Sequence, residues 1–188
     1  MSIPLGFIGA GNIVTFHMQN AQTLEIPMLG VADVNLPAAQ AASAKYGVTK
    51  AYADYREMLA DKSIKAVVIG TPNRFHAEQA IAALEAGKHV FLEKPMAMNV
   101  GESDAIIAAM KKSGKIVQMG MVNRFRGAAQ VLKTFIEAGK CGTIYSGQAY
   151  WYRRRGIPGF GGWFTTRSMS GGGALIDIGV HLLDLALY

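Results

Sequence analysis

A short glycine turn near the start of the chain limits what the chain can fold into. The apolar run Leu5–Ile8 breaks at Gly9 and Gly11 and continues from Asn12 as helix-like sequence. This order predicts a strand, a tight turn and a helix, because Gly9 can adopt backbone angles that other residues avoid. Gly11 has no side chain to block a ligand, and the unpaired N–H groups of a helix start favour a diphosphate. The turn residues predicted to bind a cofactor are Gly9, Gly11, Asn12 and Ile13.

A second strand-like segment, Met28–Ala32, is followed by a carboxylate. Asp33 lies 22 positions after Gly11, near the spacing at which an acidic residue binds the ribose of an adenine dinucleotide. A carboxylate there repels a 2′-phosphate, and the next two residues supply no cation, so NAD is favoured over NADP. The alternative is that Asp33 only caps the next helix. The turn departs from the usual pattern at its third position, which is Val14 where glycine or alanine is common.

Strand-like and helix-like segments alternate through the first two thirds of the chain. Further strands are expected at 66–70, 89–92 and 116–122, with helices at 36–46, 76–86 and 100–112. This alternation predicts an α/β Rossmann domain, a doubly wound parallel sheet, over residues 1–122. Residues 123–188 are predicted to begin a second domain, with helices at 126–138 and 174–188 and an antiparallel strand at 143–154. The glycine-rich stretch at 156–173 is either a lid or a plain connection.

The composition favours a folded intracellular protein. Of the 188 residues, 51% are hydrophobic, which argues against disorder, and the longest apolar runs are too short to span a bilayer. The start of the chain lacks the pattern of a secretion signal. Cys141 is the only cysteine, which excludes an internal disulfide framework and a cysteine-based metal cluster. We expect a cytoplasmic protein without a metal or a membrane partner.

The net charge of +6 raises the question of nucleic-acid binding. Much of the excess lies at 153–155 and at Arg167, and no nucleic-acid-binding motif accompanies it. An anionic cofactor or substrate explains the charge as well, so we predict no nucleic-acid partner.

The end of the chain predicts a longer protein. The sequence stops at Tyr188 within an amphipathic pattern and without a helix cap. One strand and two helices cannot cover the apolar face of a sheet. We therefore expect these residues to be the N-terminal part of a longer chain.

Polar residues follow the predicted strands of the first domain. In an open parallel sheet ligands bind at the carboxyl ends of the strands, where the glycine turn, Asp33, 71–73, 93–95 and 120–123 all fall. Lys94 is the notable residue, because an ammonium there can polarise a carbonyl or stabilise an alkoxide. The alternative is a lysine that only lies along the rim of the sheet.

A second candidate group is the Asp177–His181 pair. Positions i and i+4 share one face of a helix, and a carboxylate beside an imidazole supports a general acid/base near neutral pH. A structural hydrogen bond is the alternative. A metal site is disfavoured, because nothing nearby supplies a third ligand.

The chain closely resembles the glucose–fructose oxidoreductase, inositol dehydrogenase and MocA (Gfo/Idh/MocA) family. Four segments carry the resemblance: GFIGAGNIV, VADVN, GTPNRFHAEQAIAALEAGKHVFLEKPMAMN and GGGALIDIGVHLLDLAL. The Glu-Lys-Pro motif and the later Asp-x-Gly-x-His motif, in this order and at this separation, are specific together. The resemblance implies a Rossmann domain followed by a domain with a large open, mostly antiparallel sheet. It also implies hydride transfer between a nicotinamide and a hydroxyl or carbonyl of a sugar, sugar acid or cyclitol.

The resemblance implies a role for each motif residue. Lys94 would assist the reacting oxygen, His181 would be the general acid/base, and Asp177 would orient it and touch substrate. The segments that line the nicotinamide half of the cofactor site contain Thr71, Pro72, Asn73, His76, Glu93 and Lys94. Asn123 would contribute to the cofactor site and Arg124 to the substrate site, where the family joins its two domains. Family members are commonly dimers or tetramers.

Aromatic and basic residues of the second domain are candidates for substrate specificity. Aromatic rings stack on sugars, and arginines bind hydroxyls, carboxylates or phosphates. The predicted substrate-binding residues here are Tyr152, Arg153, Arg155 and Trp163. A solvated face is the alternative interpretation.

Two other functions remain open beside a sugar or polyol dehydrogenase. The family also includes glycosidases that use NAD for transient oxidation. A non-catalytic nicotinamide-binding sensor is disfavoured, because a sensor does not need Lys94, Asp177 and His181.

Overall fold

The computed structural model describes residues 2–156 and 159–188. Met1, Ile157 and Pro158 lie outside the described residues, and the last two belong to the predicted glycine-rich stretch. The chain divides into two compact units, Met1–Met119 and Gly120–Tyr188.

The first unit is a six-stranded parallel sheet with helices between its strands. Its strands are β1 (Leu5–Ile8), β2 (Met28–Ala32), β3 (Lys50–Tyr52), β4 (Ala66–Ile69), β5 (His89–Leu92) and β6 (Val117–Met119). Its helices are α1 (Asn12–Thr23), α2 (Leu36–Tyr46), α3 (Tyr55–Leu59), α4 (His76–Glu85) and α5 (Val100–Ser113). The strand order is β3-β2-β1-β4-β5-β6, and every pair is parallel. The predicted Rossmann-like α/β sheet is confirmed.

Alternate residues of each strand supply two apolar cores. Phe7 of β1 and Val68 of β4 pack with α1 and α2 through Val14 and Met18. The neighbouring strand residues Ile8, Val67, Ile69 and Leu92 belong to the other core, with α3, α4 and α5. Strands covered on both faces in this way read as continuous apolar runs. The order reverses between β1 and β4, so their carboxyl ends open a crevice.

The second unit is described as helices and turns. Its helices are α6 (Gly127–Glu137), α7 (Arg167–Ser170) and α8 (Val180–Leu187), with a π-helix at Leu175–Gly179 and 3₁₀ turns at Val122–Phe125 and Trp163–Thr165.

The predicted strand at 143–154 is absent from the structure. These residues form no strand, and every strand among the described residues belongs to the first unit. The alternation of Tyr, Trp and polar residues is typical of a half-buried strand, but a strand needs a neighbour for its backbone hydrogen bonds. The described part of the second unit supplies none. The predicted strand at 116–122 is also shorter, because Val122–Phe125 turns into a 3₁₀ helix.

The segment Arg167–Leu187 is long and apolar enough to cross a membrane by length and composition alone, with a mean hydropathy of 1.3 over its most apolar 18 residues. This differs from the expectation that the apolar runs are too short. The segment carries Asp177, His181 and Asp184, and Gly171–Gly173 interrupt its helical geometry. Length and composition are therefore weak support for a span, and the absence of a membrane partner stays a prediction.

Candidate active site

The glycine turn lies between β1 and α1. Gly9 has a φ of 101°, and a Cβ there would lie 3.3 Å from the Gly70 carbonyl oxygen, so a side chain is disfavoured. Gly11 has a φ of −75°, and a Cβ there would meet no heavy atom within 4 Å. Packing within the protein does not require glycine at position 11, whereas the close approach of a ligand would.

Helix α1 begins without a side-chain cap. Asn35, Asp54 and Asn99 cap α2, α3 and α5 by accepting a hydrogen bond from a backbone N–H. Gly11 has no side chain to do this for α1, and the first turn of α1 carries no acidic residue. Its first N–H groups and the helix dipole therefore favour an anion. The exposed residues Gly11, Asn12 and Ile13 fit the diphosphate of a dinucleotide.

Asp33 is tied to the glycine turn. Its Oδ2 accepts a hydrogen bond of 2.8 Å from the Ala10 backbone N–H, and its Oδ1 accepts one of 2.8 Å from the Asn35 N–H. The cap of α2 is Asn35, not Asp33, because Asn35 Oδ1 accepts from Ala38 N. A carboxylate oxygen accepts more than one hydrogen bond. The partly exposed Asp33 can therefore also accept from ribose hydroxyls.

The unusual Val14 has a structural counterpart in Gly70. Val14 is fully buried, and a Cβ on Gly70 would lie 2.6 Å from Val14 Cγ2 and 3.0 Å from Ile13 Cγ2. The close approach of helix and sheet that a small third residue usually permits is provided here from the strand side. Because the Val14 side chain is in the core, it does not occupy the space in which a phosphate would contact the turn.

The end of β4 is joined to the end of β5 by a histidine. His76 is buried, and its Nδ1 lies 2.7 Å from the Pro95 carbonyl oxygen and its Nε2 2.9 Å from that of Thr71. Burial lowers the pKa of His76, against the opposite effect of the two carbonyls. A neutral ring donates to one carbonyl, since carbonyl oxygens only accept. His76 therefore contacts both Thr71 and Pro95, and its single N–H holds one of the two carbonyl oxygens.

The other predicted residues at the end of β4 occupy different positions. Thr71 Oγ1 lies 2.6 Å from Gln79 Oε1 of α4. Asn73 is 4% exposed, whereas Pro72 is partly exposed. Their contact with a nicotinamide stays a prediction.

Glu93 and Lys94 directly follow β5. Glu93 Oε1 lies 2.8 Å from Nε2 of His17 on α1, and its Oε2 accepts from the Lys94 backbone N–H at 3.3 Å. Lys94 is partly exposed, and its peptide bond to Pro95 is cis. The first unit thus brings together the glycine turn, Asp33, Thr71 and Glu93 at one edge of the sheet.

Asn123 and Arg124 lie in the first turn of the second unit. The side chain of Asn123 is buried, and its Oδ1 has no hydrogen-bond partner among the described residues. An unpaired buried acceptor is costly, so a donor from outside those residues would stabilise it. Arg124 donates to Asp184 through two nitrogens at 2.8 and 2.5 Å, and these hydrogen bonds raise its pKa. Arg124 thus joins the turn to α8, and substrate binding by it stays a prediction.

Asp177 and His181 lie on consecutive helical segments of the second unit. Asp177 is within the π-helix Leu175–Gly179, and His181 is in α8. A π-turn changes the face relationship that a regular helix gives to positions i and i+4, and such turns are frequent at functional sites. The His181 ring lies 6.1 Å from that of Trp151, at 40°.

A cavity of about 750 Å³ lies within the second unit. Its lining combines charged and apolar side chains, among them Arg153, Arg167, Asp177, Phe160, Phe164 and Ile178. Of the predicted substrate residues, Arg153 and Asp177 reach it. Tyr152 stacks against Tyr150 and Trp163 against Phe164, and Arg155 is exposed.

Several residues of the site were not indicated by the sequence pattern. His17 and Gly70 have no motif of their own, since both act by packing against parts of the chain that are distant in sequence. Phe160 and Phe164 had a weak signal, because aromatic residues cluster in this region. Trp151 and Arg167, in contrast, belong to the region predicted to set specificity. No group of three or more His, Cys, Asp or Glu side chains that could hold a metal occurs among residues 2–156 and 159–188.

Both units of the chain match models of known protein families. Residues 3–121 match the model of the oxidoreductase family with an NAD-binding Rossmann fold. Residues 129–188 match the model of the GFO/IDH/MocA C-terminal domain. The chain belongs to the Gfo/Idh/MocA oxidoreductase family. The resemblance drawn from its motifs is confirmed.

Relatives within the Gfo/Idh/MocA family are named dehydrogenases of sugars and cyclitols. D-glucoside 3-dehydrogenase of Escherichia coli K12 is 38% identical over 186 residues, which cover 98% of this chain and 53% of that protein. Inositol 2-dehydrogenase of Salmonella typhimurium LT2 is 36% identical over 146 residues, covering 76% and 44%. A structure of levoglucosan dehydrogenase with NADH and levoglucosan matches with a TM-score of 0.85 at 30% identity, over 99% and 53%. The chain spans about half the length of these Gfo/Idh/MocA relatives.

Proposed function

We propose that the protein is an NAD-dependent oxidoreductase that transfers a hydride between nicotinamide and a hydroxyl or carbonyl of a sugar, sugar acid or cyclitol. The observation that carries the proposal is the uncapped start of α1 beside Asp33. Gly11 leaves open space there, and Asp33 holds the Ala10 N–H at 2.8 Å. A diphosphate and a ribose fit side by side at this edge.

NAD is the preferred cofactor in this proposal. Asp33 would accept hydrogen bonds from the ribose hydroxyls and repel a 2′-phosphate. Val34 is 97% exposed and uncharged, so the residue next to Asp33 offers no cation to a phosphate. Thr71, Pro72 and Asn73 would lie along the nicotinamide half, with His76 supporting Thr71 from behind.

In the proposed reaction, Lys94, His181 and Asp177 have different roles. A bound nicotinamide supplies the hydride acceptor or donor. Lys94 would stabilise the charge on the reacting oxygen through its ammonium group. His181 would take the proton from the hydroxyl or return it to the alkoxide, because an imidazole exchanges protons near neutral pH. Asp177 would orient the His181 ring and contact the substrate.

The cavity of the second unit supports a polyhydroxylated substrate. Asp177 accepts hydrogen bonds from hydroxyls, Arg153 and Arg167 donate to them, and Phe160 and Phe164 offer apolar faces. A ring with several hydroxyls fits this mixture of groups.

The proposed function implies a division of roles between the two domains. Residues 1–122 would bind the cofactor, and 123–188 would begin a substrate domain completed by an antiparallel sheet from further chain. The protein would be a cytoplasmic dimer or tetramer.

The proposal is tested with NAD⁺, NADP⁺ and pooled cyclitols, aldoses and sugar acids. We expect NAD⁺ to bind more tightly than NADP⁺, reduced nicotinamide to form with one part of the pool, and Lys94→Ala to abolish this signal. Asp33→Ala should reduce the ratio of NAD⁺ affinity to NADP⁺ affinity. Hydrolysis without net reduction would instead identify an NAD-using glycosidase, and binding without turnover a sensor.

Gly11→Ala provides a matched test of the turn. Because a Cβ there meets no protein atom within 4 Å, stability should change by no more than about 1 kcal/mol. NAD⁺ affinity should fall at least tenfold, because the methyl group would occupy the space assigned to the diphosphate. Unchanged affinity would contradict the placement of the cofactor.

A further inference from the structure

We propose that His17 is a positioning residue that fixes Lys94 through Glu93. The inference rests on the proposed function, in which Lys94 acts on the substrate oxygen. His17 carries no recognised motif, and it lies four to six positions, between one and two helical turns, after the residues that would bind the diphosphate.

His17 contacts β5 and the residues after it at two points. Its ring meets Phe91 edge-on, with centroids 5.0 Å apart at 65°. Its Nε2 lies 2.8 Å from Glu93 Oε1. A carboxylate only accepts, so Nε2 carries the hydrogen. The side chains of His17 and Glu93 are only 23% and 13% exposed, so water competes weakly for this bond.

Glu93 transmits this contact to Lys94. Its Oε1 is occupied by His17, and its Oε2 accepts from the Lys94 backbone N–H at 3.3 Å. Because both carboxylate oxygens are hydrogen-bonded, the Glu93 side chain restrains the backbone at Lys94.

A second histidine holds the same loop from the other face of the sheet. Helix α1 belongs to one apolar core and α4 to the other. His17 of α1 bonds Glu93, and the buried ring of His76 of α4 packs against the Pro95 carbonyl oxygen, with Nδ1 2.7 Å from it. Lys94 lies between these two anchors. Loss of His17 therefore frees one side of Lys94 while the other remains held.

This arrangement couples the helix that starts at the diphosphate site to the residue that acts on substrate. Displacing a catalytic group by about 1 Å can cost about a hundredfold in rate. His17 reaches the proposed site only through Glu93, at the nicotinamide half, and it does not contact the residues assigned to the diphosphate and the ribose. Its loss should therefore lower kcat more than it weakens NAD⁺ binding.

The test compares wild type, His17→Ala, His17→Gln and Gln19→Ala in the purified protein. Gln19 is exposed on the same helix and serves as the matched control. We expect His17→Ala to lower kcat ten- to a hundredfold, with NAD⁺ affinity within threefold of wild type. His17→Gln should recover part of the loss, because its amide N–H can still donate to Glu93. Glu93→Ala and the His17→Ala/Glu93→Ala double variant should lose kcat equally, since His17 acts through Glu93.

A readout without turnover separates this inference from the proposed function. Reductive methylation with ¹³C-formaldehyde labels the lysine amines, and Lys94→Arg assigns the Lys94 signal. We expect that signal to shift in His17→Ala and to stay in place in Gln19→Ala. A wild type that binds neither nucleotide nor any substrate refutes the proposed function alone. An unshifted Lys94 signal, wild-type kcat in His17→Ala, or parallel losses of kcat, NAD⁺ affinity and melting temperature overturn the role of His17.

Discussion

At the scale of single residues, Val14 and Gly70 show how a departure from a motif is accommodated. The buried valine takes the position where a glycine or alanine is usual, and the missing Cβ of Gly70 provides the space. The two positions share one volume, so they should be coupled energetically.

Substitutions at this pair should be non-additive. Gly70→Ala places a methyl group 2.6 Å from Val14 and should lower the free energy of unfolding by about 1–3 kcal/mol. Val14→Ala leaves a void at a fully buried position and should cost about the same. The double variant should be more stable than the sum of the two losses predicts, as measured by urea unfolding. Additive losses would show that the two residues do not share space.

His76 gives the first unit a pH-dependent stability. Burial is the largest effect, and it lowers the pKa of His76 in the folded protein. The two backbone carbonyls and Glu93 raise this pKa and Lys94 lowers it, all more weakly. The unfolded chain therefore binds the His76 proton more tightly than the folded protein does. The contribution is present above the ordinary pKa of about 6.5 and is lost as pH falls through the folded-state value. Unfolding free energies measured from pH 7.5 to 5 should therefore fall, and His76→Asn should flatten this decline. An identical slope in the variant would contradict this origin.

At the scale of elements, a buried lysine fixes a connection at the edge of the sheet opposite the candidate site. Lys88 precedes β5 and is 4% exposed, and its Nζ donates to the carbonyl oxygens of Asp61 and Ile64 at 2.6 and 2.9 Å. Burial lowers its pKa. These two bonds hold the connection between α3 and β4.

Lys88→Met should keep most of the side-chain packing but leave both carbonyl oxygens without this donor. Each unsatisfied buried acceptor costs about 1–3 kcal/mol, so we expect a loss of that order in the free energy of unfolding. Lys65→Ala is the control, because Lys65 donates to Lys62 at the surface and should change stability by about 0.5 kcal/mol or less. Equal effects of the two substitutions would argue against the role of Lys88.

At the scale of the whole molecule, both apolar cores lie within the first 119 residues. A fragment ending at Met119 contains all six strands and the glycine turn. We expect it to melt cooperatively by circular dichroism and to bind NAD⁺ within about tenfold of the whole chain. A fragment without a cooperative transition would mean that the first unit depends on residues beyond Met119.

The strands and helices of the first unit were predictable because their signals are local. The run Ala66–Ile69 is apolar throughout, as in a strand covered on both faces, and Gly47 and Gly114 end α2 and α5 in the left-handed conformation. The strand at 143–154 failed for the opposite reason. The alternating pattern at 143–154 indicates which side chains a strand would bury. Whether a strand forms depends on a second strand, from elsewhere in the chain, that accepts its backbone hydrogen bonds.

Some residues of the candidate site were likewise predictable from local sequence, and others were not. The glycine turn, the carboxylate after β2 and the lysine after β5 were predictable from local patterns, because strand order and the direction of a parallel sheet bring these positions to one edge. Three features arise from the packing of distant segments: the bond between His17 and Glu93, the contacts of the buried His76 ring, and the space that Gly70 leaves for Val14. The contacts with Glu93 and Pro95 join residues 76 and 19 positions apart, and the space at Gly70 depends on an atom that is missing, and a linear pattern records neither.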